Sequence, residues 1–327
     1  MTKKRISLVA PFYNESGNVH EFFRRVAAIR ADLPSYEVEV VAVNDGSRDG
    51  TWNELLQARE AYPWVHLVDL SRNFGKEAAL TAGLDRADGD AVVPIDSDLQ
   101  HPPELLVQML EQWERGAEVV LARRMDRHTD GRLQKISATS FYRFHNMISN
   151  VQVPMDVGDF RLMDRRVVQA LQQLPENHRF MKGLFAWVGF RTVTIPYDHT
   201  DRHAGKSSFN FWKLWNLALE GITSFSTAPL KIWTYVGFGV SLLALLYGAL
   251  IVLRTLVQGV DVPGYASLMA GCMFLGGVQL IGIGVLGEYV GRIYHEVKRR
   301  PVYLVREEHP AADAADERQV RLVQDGY

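Results

Sequence analysis

The sequence holds a single cysteine, Cys272, among 327 residues. That excludes an intrachain disulfide framework and any metal site built on several thiolates. Charge of neither sign is in excess: 36 Lys and Arg against 38 Asp and Glu leave a net charge of −2. Without a basic surplus or stripe, a nucleic-acid partner is not expected. The basic start Met1–Arg5 runs into no apolar segment of secretory-signal length before charges return, so the first domain is expected to stay in the cytosol. Internal repeats are also lacking. The most informative absence is local. No Asp, Glu, Lys or Arg occurs in the 22 residues between Lys231 and Arg254, or in the 26 between Asp261 and Glu288. As helices these span roughly 33 and 39 Å, enough for a hydrocarbon core of about 30 Å. Two transmembrane helices are predicted.

The short loop between them, Arg254 to Asp261, carries one basic residue, whereas Lys231 precedes the first span and Arg292, Lys298, Arg299 and Arg300 follow the second. This asymmetry puts both termini of a multi-pass membrane protein in the cytoplasm. Gly282-Ile-Gly284-Val-Leu-Gly287 has the form of a dinucleotide fingerprint, but it lies inside the second span, without the strand and helix such a motif requires. Small residues there, Gly287 and Gly291 included, are read instead as a close helix-packing surface.

Residues 1 to about 125 alternate short apolar runs with amphipathic stretches. Ile6–Ala10, Val38–Val43, Val65–Leu70, Ala91–Ile95 and Val119–Ala122 read as buried strands. Val19–Leu33, Trp52–Ala61, Glu77–Ala87 and Glu104–Trp113 show helical spacing. Such alternation predicts an α/β domain with a mostly parallel, doubly wound sheet, whose ligands bind at the carboxyl ends of the strands. Residues 209–228 interleave Phe209, Phe211, Trp212, Trp215 and Phe225 with polar residues, the pattern of helices lying in the membrane interface. From Glu307 the tail holds six acids against two arginines and reads as disordered and solvating. The expected organisation is a cytosolic α/β domain over 1–208, interfacial helices over 209–228, a two-helix membrane domain over 229–295, and a cytosolic C-terminal segment with a disordered tail over 296–327.

Each early strand ends in polar, turn-forming residues: Pro11–Glu15, Asn44–Thr51, Ser71–Lys76 and Asp96–Gln100. Any one could be a helix cap and turn. Four of them converging on one sheet edge imply a site. Asp96 and Asp98, at i and i+2 where a strand ends, can turn toward one hard cation, Mg²⁺ or Mn²⁺, which commonly shares its shell with substrate phosphates. The lack of clustered Cys or His argues against zinc.

Pro11–Glu15, Asn44–Thr51 and Asp96–Gln100 resemble the nucleotide-sugar signatures of family 2 inverting glycosyltransferases with the GT-A fold. With Gly158–Arg165, Arg202–Phe209 and the two C-terminal spans, the chain over about 5–305 is similar to the polyprenyl-phosphate glycosyltransferases. These include the bactoprenol glucosyltransferases of the GtrB type and, more distantly, dolichol-phosphate mannose synthase. The resemblance implies that Pro11, Glu15 and Asp45 contact the nucleoside and that Asp96 lies near ribose and diphosphate. Asp96 and Asp98, with Gln100 beside them, would hold the metal, and Lys76 would touch the donor diphosphate. Asp159 stands where the bactoprenol enzymes place a carboxylate near the acceptor, as a base or an orienting group. Arg124, Arg202 and Lys206 are the candidates for gripping a lipid phosphate at headgroup height.

The implied activity is inverting transfer of one sugar from a nucleotide-sugar, UDP-glucose foremost, to polyprenyl phosphate. GDP-mannose and other UDP-sugars stay open, as does assembly with further copies of the chain. A processive polysaccharide synthase is disfavoured because no Trp follows an Arg, so the Gln-x-x-Arg-Trp acceptor signature is missing. A non-catalytic membrane scaffold is disfavoured because the acidic pairs are intact.

Overall fold

A computed structural model describes residues 3–98, 102–124, 157–176, 179, 181–197, 228–258 and 264–312. The first half builds β1 (Lys4–Phe12), α1 (Val19–Asp32), β2 (Tyr36–Asn44), α2 (Thr51–Ala61), β3 (Val65–Leu70), α3 (Lys76–Leu84) and β4 (Ala91–Pro94). A 3-10 turn (Pro103–Leu105) then leads into α4 (Leu106–Glu114) and β5 (Val119–Arg124). Further along come β6 (Val157–Asp164), α5 (Arg165–Gln172), α6 (Met181–Trp187) and β7 (Thr192–Tyr197). Two long helices, α7 (Ala228–Gln258) and α8 (Tyr265–Val297), precede β8 (Val305–His309).

The eight strands form one sheet in the order β7-β5-β6-β4-β1-β2-β3-β8. Pairs β1–β2, β1–β4, β2–β3 and β5–β7 are parallel, while β6 and β8 run against their neighbours. Alternate strand residues feed two cores, as a sheet covered on both faces requires. Ile6, Leu8, Val40 and Leu67 meet Phe22, Phe23, Leu55 and Leu106 on one face. On the other, Val9, Val41, Val43 and Val68 meet Leu80, Val168 and Leu184. α1 is helical for a visible reason: Val19, Phe22, Phe23, Val26 and Ile29 recur at turn spacing and all are buried.

Three strands lie beyond the five expected from the hydrophobic pattern, and one of them, β7, pairs parallel with β5 at the sheet's end. β6 carries Asp159 and Arg161. β8 includes residues 307–309, where composition reads as the start of a solvated tail; instead it pairs antiparallel with β3. One of its two acids is matched rather than solvated: Glu308 meets His66 at 2.8 Å and Arg86 at 3.0 Å. Just ahead of β8, the Tyr303 hydroxyl donates to Asp85 at 2.8 Å.

Within α7 and α8, Leu230–Ile251 and Gly271–Val297 are long and apolar enough to cross a membrane. Neither is a core helix, because Phe238, Leu245, Leu256, Phe274 and Leu280 are all exposed. The glycines of α8 do not make the expected tight seam. A Cβ on Gly282 would meet the Trp233 ring at 3.9 Å, and one on Gly287 or Gly291 would meet nothing within 4 Å.

Candidate active site

Because β1 to β4 are parallel, their carboxyl ends share one sheet edge, and a cleft of about 330 Å³ opens there. It is lined by Pro11, Glu15, Asp45, Lys76, Asp96 and Asp98, six of the residues singled out from sequence, together with Tyr13, Asn73 and Ser97. The size suits a small-molecule ligand. A larger open depression of about 1000 Å³ lies at the strands' amino ends. Its charged lining is partly spent on an Arg5–Glu37 ion pair, and none of the six residues reaches it.

Asp45 and Asn44, directly after the buried core of β2, are themselves buried. The Asp45 carboxylate accepts the backbone N–H groups of Phe74 (2.7 Å) and Gly75 (2.9 Å), fastening the β3–α3 loop to the end of β2. Burial pushes the Asp45 carboxyl above its ordinary range, and these two hydrogen bonds only partly offset it. Gly46 follows with φ +62, and its backbone packs on the same loop. A Cβ there would overlap the Arg72 carbonyl carbon and stand 2.6 Å from the Asn73 nitrogen. Left-handed strain plus a backbone clash should cost about 2–4 kcal/mol. Gly46→Ala is therefore expected to lower the melting temperature of the purified protein clearly, and an unmoved one would show that the contact is dispensable.

The residue after β4, Asp96, is met from two directions. β6 pairs antiparallel with β4 in the register Ala91↔Asp164 and Val92↔Met163, so its earlier residues, Asp159 among them, lie toward the carboxyl end of β4. The first residue of α3 closes the gap: Lys76 Nζ lies 2.7 Å from Asp96 Oδ1 and 2.8 Å from Asp159 Oδ2. Burial works against this ammonium's charge, but the two carboxylates outweigh it and hold the Lys76 pKa above its ordinary value. Between the two acids after β4, the buried Ser97 hydroxyl donates to the Pro11 carbonyl at 2.9 Å, turning that residue inward. Its neighbours Asp96 and Asp98 are left to line the cleft.

Beneath Asp159, the buried Arg161 guanidinium stacks 4.0 Å from the Phe185 ring centroid and donates to the Gly158 carbonyl at 2.8 Å. Burial lowers its pKa to about 10 while Asp159 and Glu77 pull the other way, so it stays charged at neutral pH. In the sequence Arg161 falls within the Gly158–Arg165 motif, and only the fold shows what it touches.

Among the described residues no three His, Cys, Asp or Glu side chains cluster as a metal cage. Two cleft-lining carboxylates nonetheless fit the donor set of Mg²⁺ or Mn²⁺, which bind through one or two carboxylates plus substrate phosphates. Arg124 ends β5 at this same sheet edge, its backbone paired with Tyr197. Gln100, Arg202, Lys206 and the whole of 209–227 lie outside the described residues.

The cleft residues and the two exposed apolar helices fall in stretches that known families match. Residues 7–172 match the model for glycosyl transferase family 2, and the chain belongs to that family. Within the family, residues 228–293 match the GtrB C-terminal hairpin. The chain is 53% identical to an SfII prophage-derived bactoprenol glucosyl transferase of Shigella flexneri, over 93% of this chain and 98% of that one. It is 50% identical to an uncharacterised glycosyltransferase of Synechocystis, over 92% and 94%. Among solved structures, a mannosyltransferase from Pyrobaculum calidifontis in complex with GDP-Man and Mn²⁺ aligns over 89% of this chain and 88% of that one. Its identity is 18% and its TM-score 0.47.

Proposed function

We propose that the chain transfers a single glucose from UDP-glucose to a polyprenyl phosphate, with inversion at the anomeric carbon, on the cytosolic face of the inner (cell) membrane. The observation that carries this is Lys76 bridging Asp96 in the donor cleft to Asp159 on the neighbouring strand, in a chain that also bears the GtrB hairpin. The bactoprenol glucosyl transferases at 53% identity favour glucose and a polyprenyl acceptor.

In this reading Glu15 and Asp45 hold the nucleoside, and Lys76 and Asp96 face the diphosphate. Asp96 and Asp98, with Gln100, are the residues that would hold Mg²⁺ or Mn²⁺. Bound there, the cation offsets charge gathering on the leaving nucleoside diphosphate. The acceptor phosphate is already ionised near neutral pH and needs no strong base. Asp159 therefore orients Lys76 rather than taking a proton, and Lys76 keeps its own proton because two carboxylates favour it. Arg124, Arg202 and Lys206 would steady the lipid phosphate while the interfacial segment 209–228 keeps the polyprenyl tail in the bilayer, sparing roughly 0.8 kcal/mol per CH₂ otherwise exposed to water.

The catalytic domain (1–208) and the segment after the hairpin (296–327) share the cytosolic side, as the Lys and Arg flanking 229–295 favour. A reporter fused after Tyr327 is expected to be active only in the cytosol; activity outside would overturn this topology. The function itself is tested with the full chain, undecaprenyl phosphate, Mn²⁺ or Mg²⁺, and a panel of UDP-sugars and GDP-mannose, read by product mass. A lipid product one hexose heavier from UDP-glucose is expected. Preference for another donor overturns the sugar, and no lipid product from any donor overturns the function.

A further inference from the structure

We propose that Arg306, on the edge strand that follows the membrane hairpin, is a positioning residue for donor binding. This rests on reading the cleft as the nucleotide-sugar site. The cleft wall formed by residues 71–76 is a loop fastened at both ends. Its far end is held by Asp45, which accepts from Phe74 and Gly75. Its near end is held by the C-terminal segment. The Ser71 N–H donates to the Leu304 carbonyl at 2.8 Å, and Arg306 Nη2 donates to the Ser71 carbonyl at 2.6 Å.

The other arm of the same guanidinium, Nη1, lies 3.2 Å from Asp69 Oδ2. Asp69 is buried at the end of β3, and its second oxygen accepts from Asn44 Nδ2 at 2.7 Å. Asn44 immediately precedes Asp45 and also accepts the Ser47 N–H through Oδ1 at 3.3 Å. One forked side chain thus ties the start of the donor loop to the buried carboxylate that braces the end of β2. A guanidinium can serve both acceptors at once; an ammonium offers no such rigid fork.

The geometry separates this role from simple attachment of the strand. β8 is stapled to the sheet independently, through Glu308 with His66 and Arg86 and by its backbone ladder with β3. The Arg306 side chain is 59% exposed, so it contributes little to stability by burial or by an ion pair screened by water. Its contact with the Ser71 carbonyl matters for where Asn73, Gly75 and Lys76 stand.

The test uses the full chain in lipid nanodiscs, comparing Arg306→Ala, Arg306→Lys and Glu308→Ala with the natural sequence. Two readouts are taken: steady-state kinetics with UDP-glucose, and hydrogen–deuterium exchange of the Phe74 and Gly75 amides. Arg306→Ala should raise the donor KM about tenfold, the size of one lost hydrogen bond to a charged group. The acceptor KM and kcat should stay within about twofold, and the two amides should exchange faster. Arg306→Lys should recover part of the donor KM. Glu308→Ala should lower the melting temperature without moving the donor KM. The inference is overturned if Arg306→Ala leaves both donor KM and amide exchange unchanged, or if Glu308→Ala moves them equally. Absence of turnover with UDP-glucose in the natural sequence would count against the donor reading instead, and the exchange data would still decide the role of Arg306.

Discussion

Asp98→Asn is expected to lower sugar transfer at saturating metal at least a hundredfold, while the chain still folds and inserts. Ser97, anchored to the Pro11 carbonyl, holds the turn after β4, so the substitution exchanges one cleft oxygen for an amide without disturbing what supports it. Asn keeps the shape and loses the charge. A hard cation held by only two carboxylates loses half of its fixed protein charge in that exchange. A hundredfold is about 2.7 kcal/mol of barrier. The measurement is initial rate against Mg²⁺ and Mn²⁺ concentration, carried to saturation. A variant retaining more than about a tenth of the natural rate there, a barrier change under about 1.4 kcal/mol, would sink the assignment of Asp98 to the metal.

Lys76→Met should be nearly as damaging, for a different reason. The ammonium lies between Asp96 and Asp159, and removing it takes away the cation that the two carboxylates share. Like charges left without it push one of the pair to take up a proton. The sign follows directly. Losing the cation raises the carboxylate pKa, so an activity that needs both acids ionised loses its acid limb at a higher pH than before. Transfer at pH 7 is expected to fall about a hundredfold, with the acid limb of the pH–rate profile moved upward. Lys76→Arg should restore part of both, since a guanidinium can still span two carboxylates. An unchanged acid limb in the Met variant would show that the bridge has no part in catalysis.

The first five strands and four helices were legible because each strand has a short apolar centre and α1, α2 and α4 bury a recurring apolar stripe, while α3 is small, apolar and buried from Ala78 to Leu84. The observed elements match those expectations to within a few residues. β6 was hidden because its centre carries Arg161. That charge is tolerated inside by stacking on Phe185 and by the Gly158 carbonyl, neither of which shows in a hydropathy pattern. β8 was hidden more thoroughly. Val-Arg-Glu-Glu-His reads as solvated chain until His66 and Arg86, far away in sequence, are seen to match Glu308.

The same holds at the site. Pro11, Glu15, Asp45, Lys76, Asp96 and Asp98 were readable singly because each follows or opens a predicted element. That Lys76 would join Asp96 to Asp159 depends on the antiparallel register of β6, a strand that the pattern did not show. Arg306 had no signal at all, since its partners Asp69 and Ser71 acquire meaning only once β3 and β8 lie side by side.

The position of β8 also sets an order of biogenesis. β3 is complete at Leu70, but its outer edge stays bare until Val305 has been made. Roughly 230 residues of synthesis intervene, about 10–50 s at ordinary translation rates. Both apolar helices are synthesised within that interval, so the segments that would enter a bilayer are made before the sheet can close. Until then the nascent enzyme carries an open edge of the kind that recruits other strands, and a buried Asp69 still waiting for its cation.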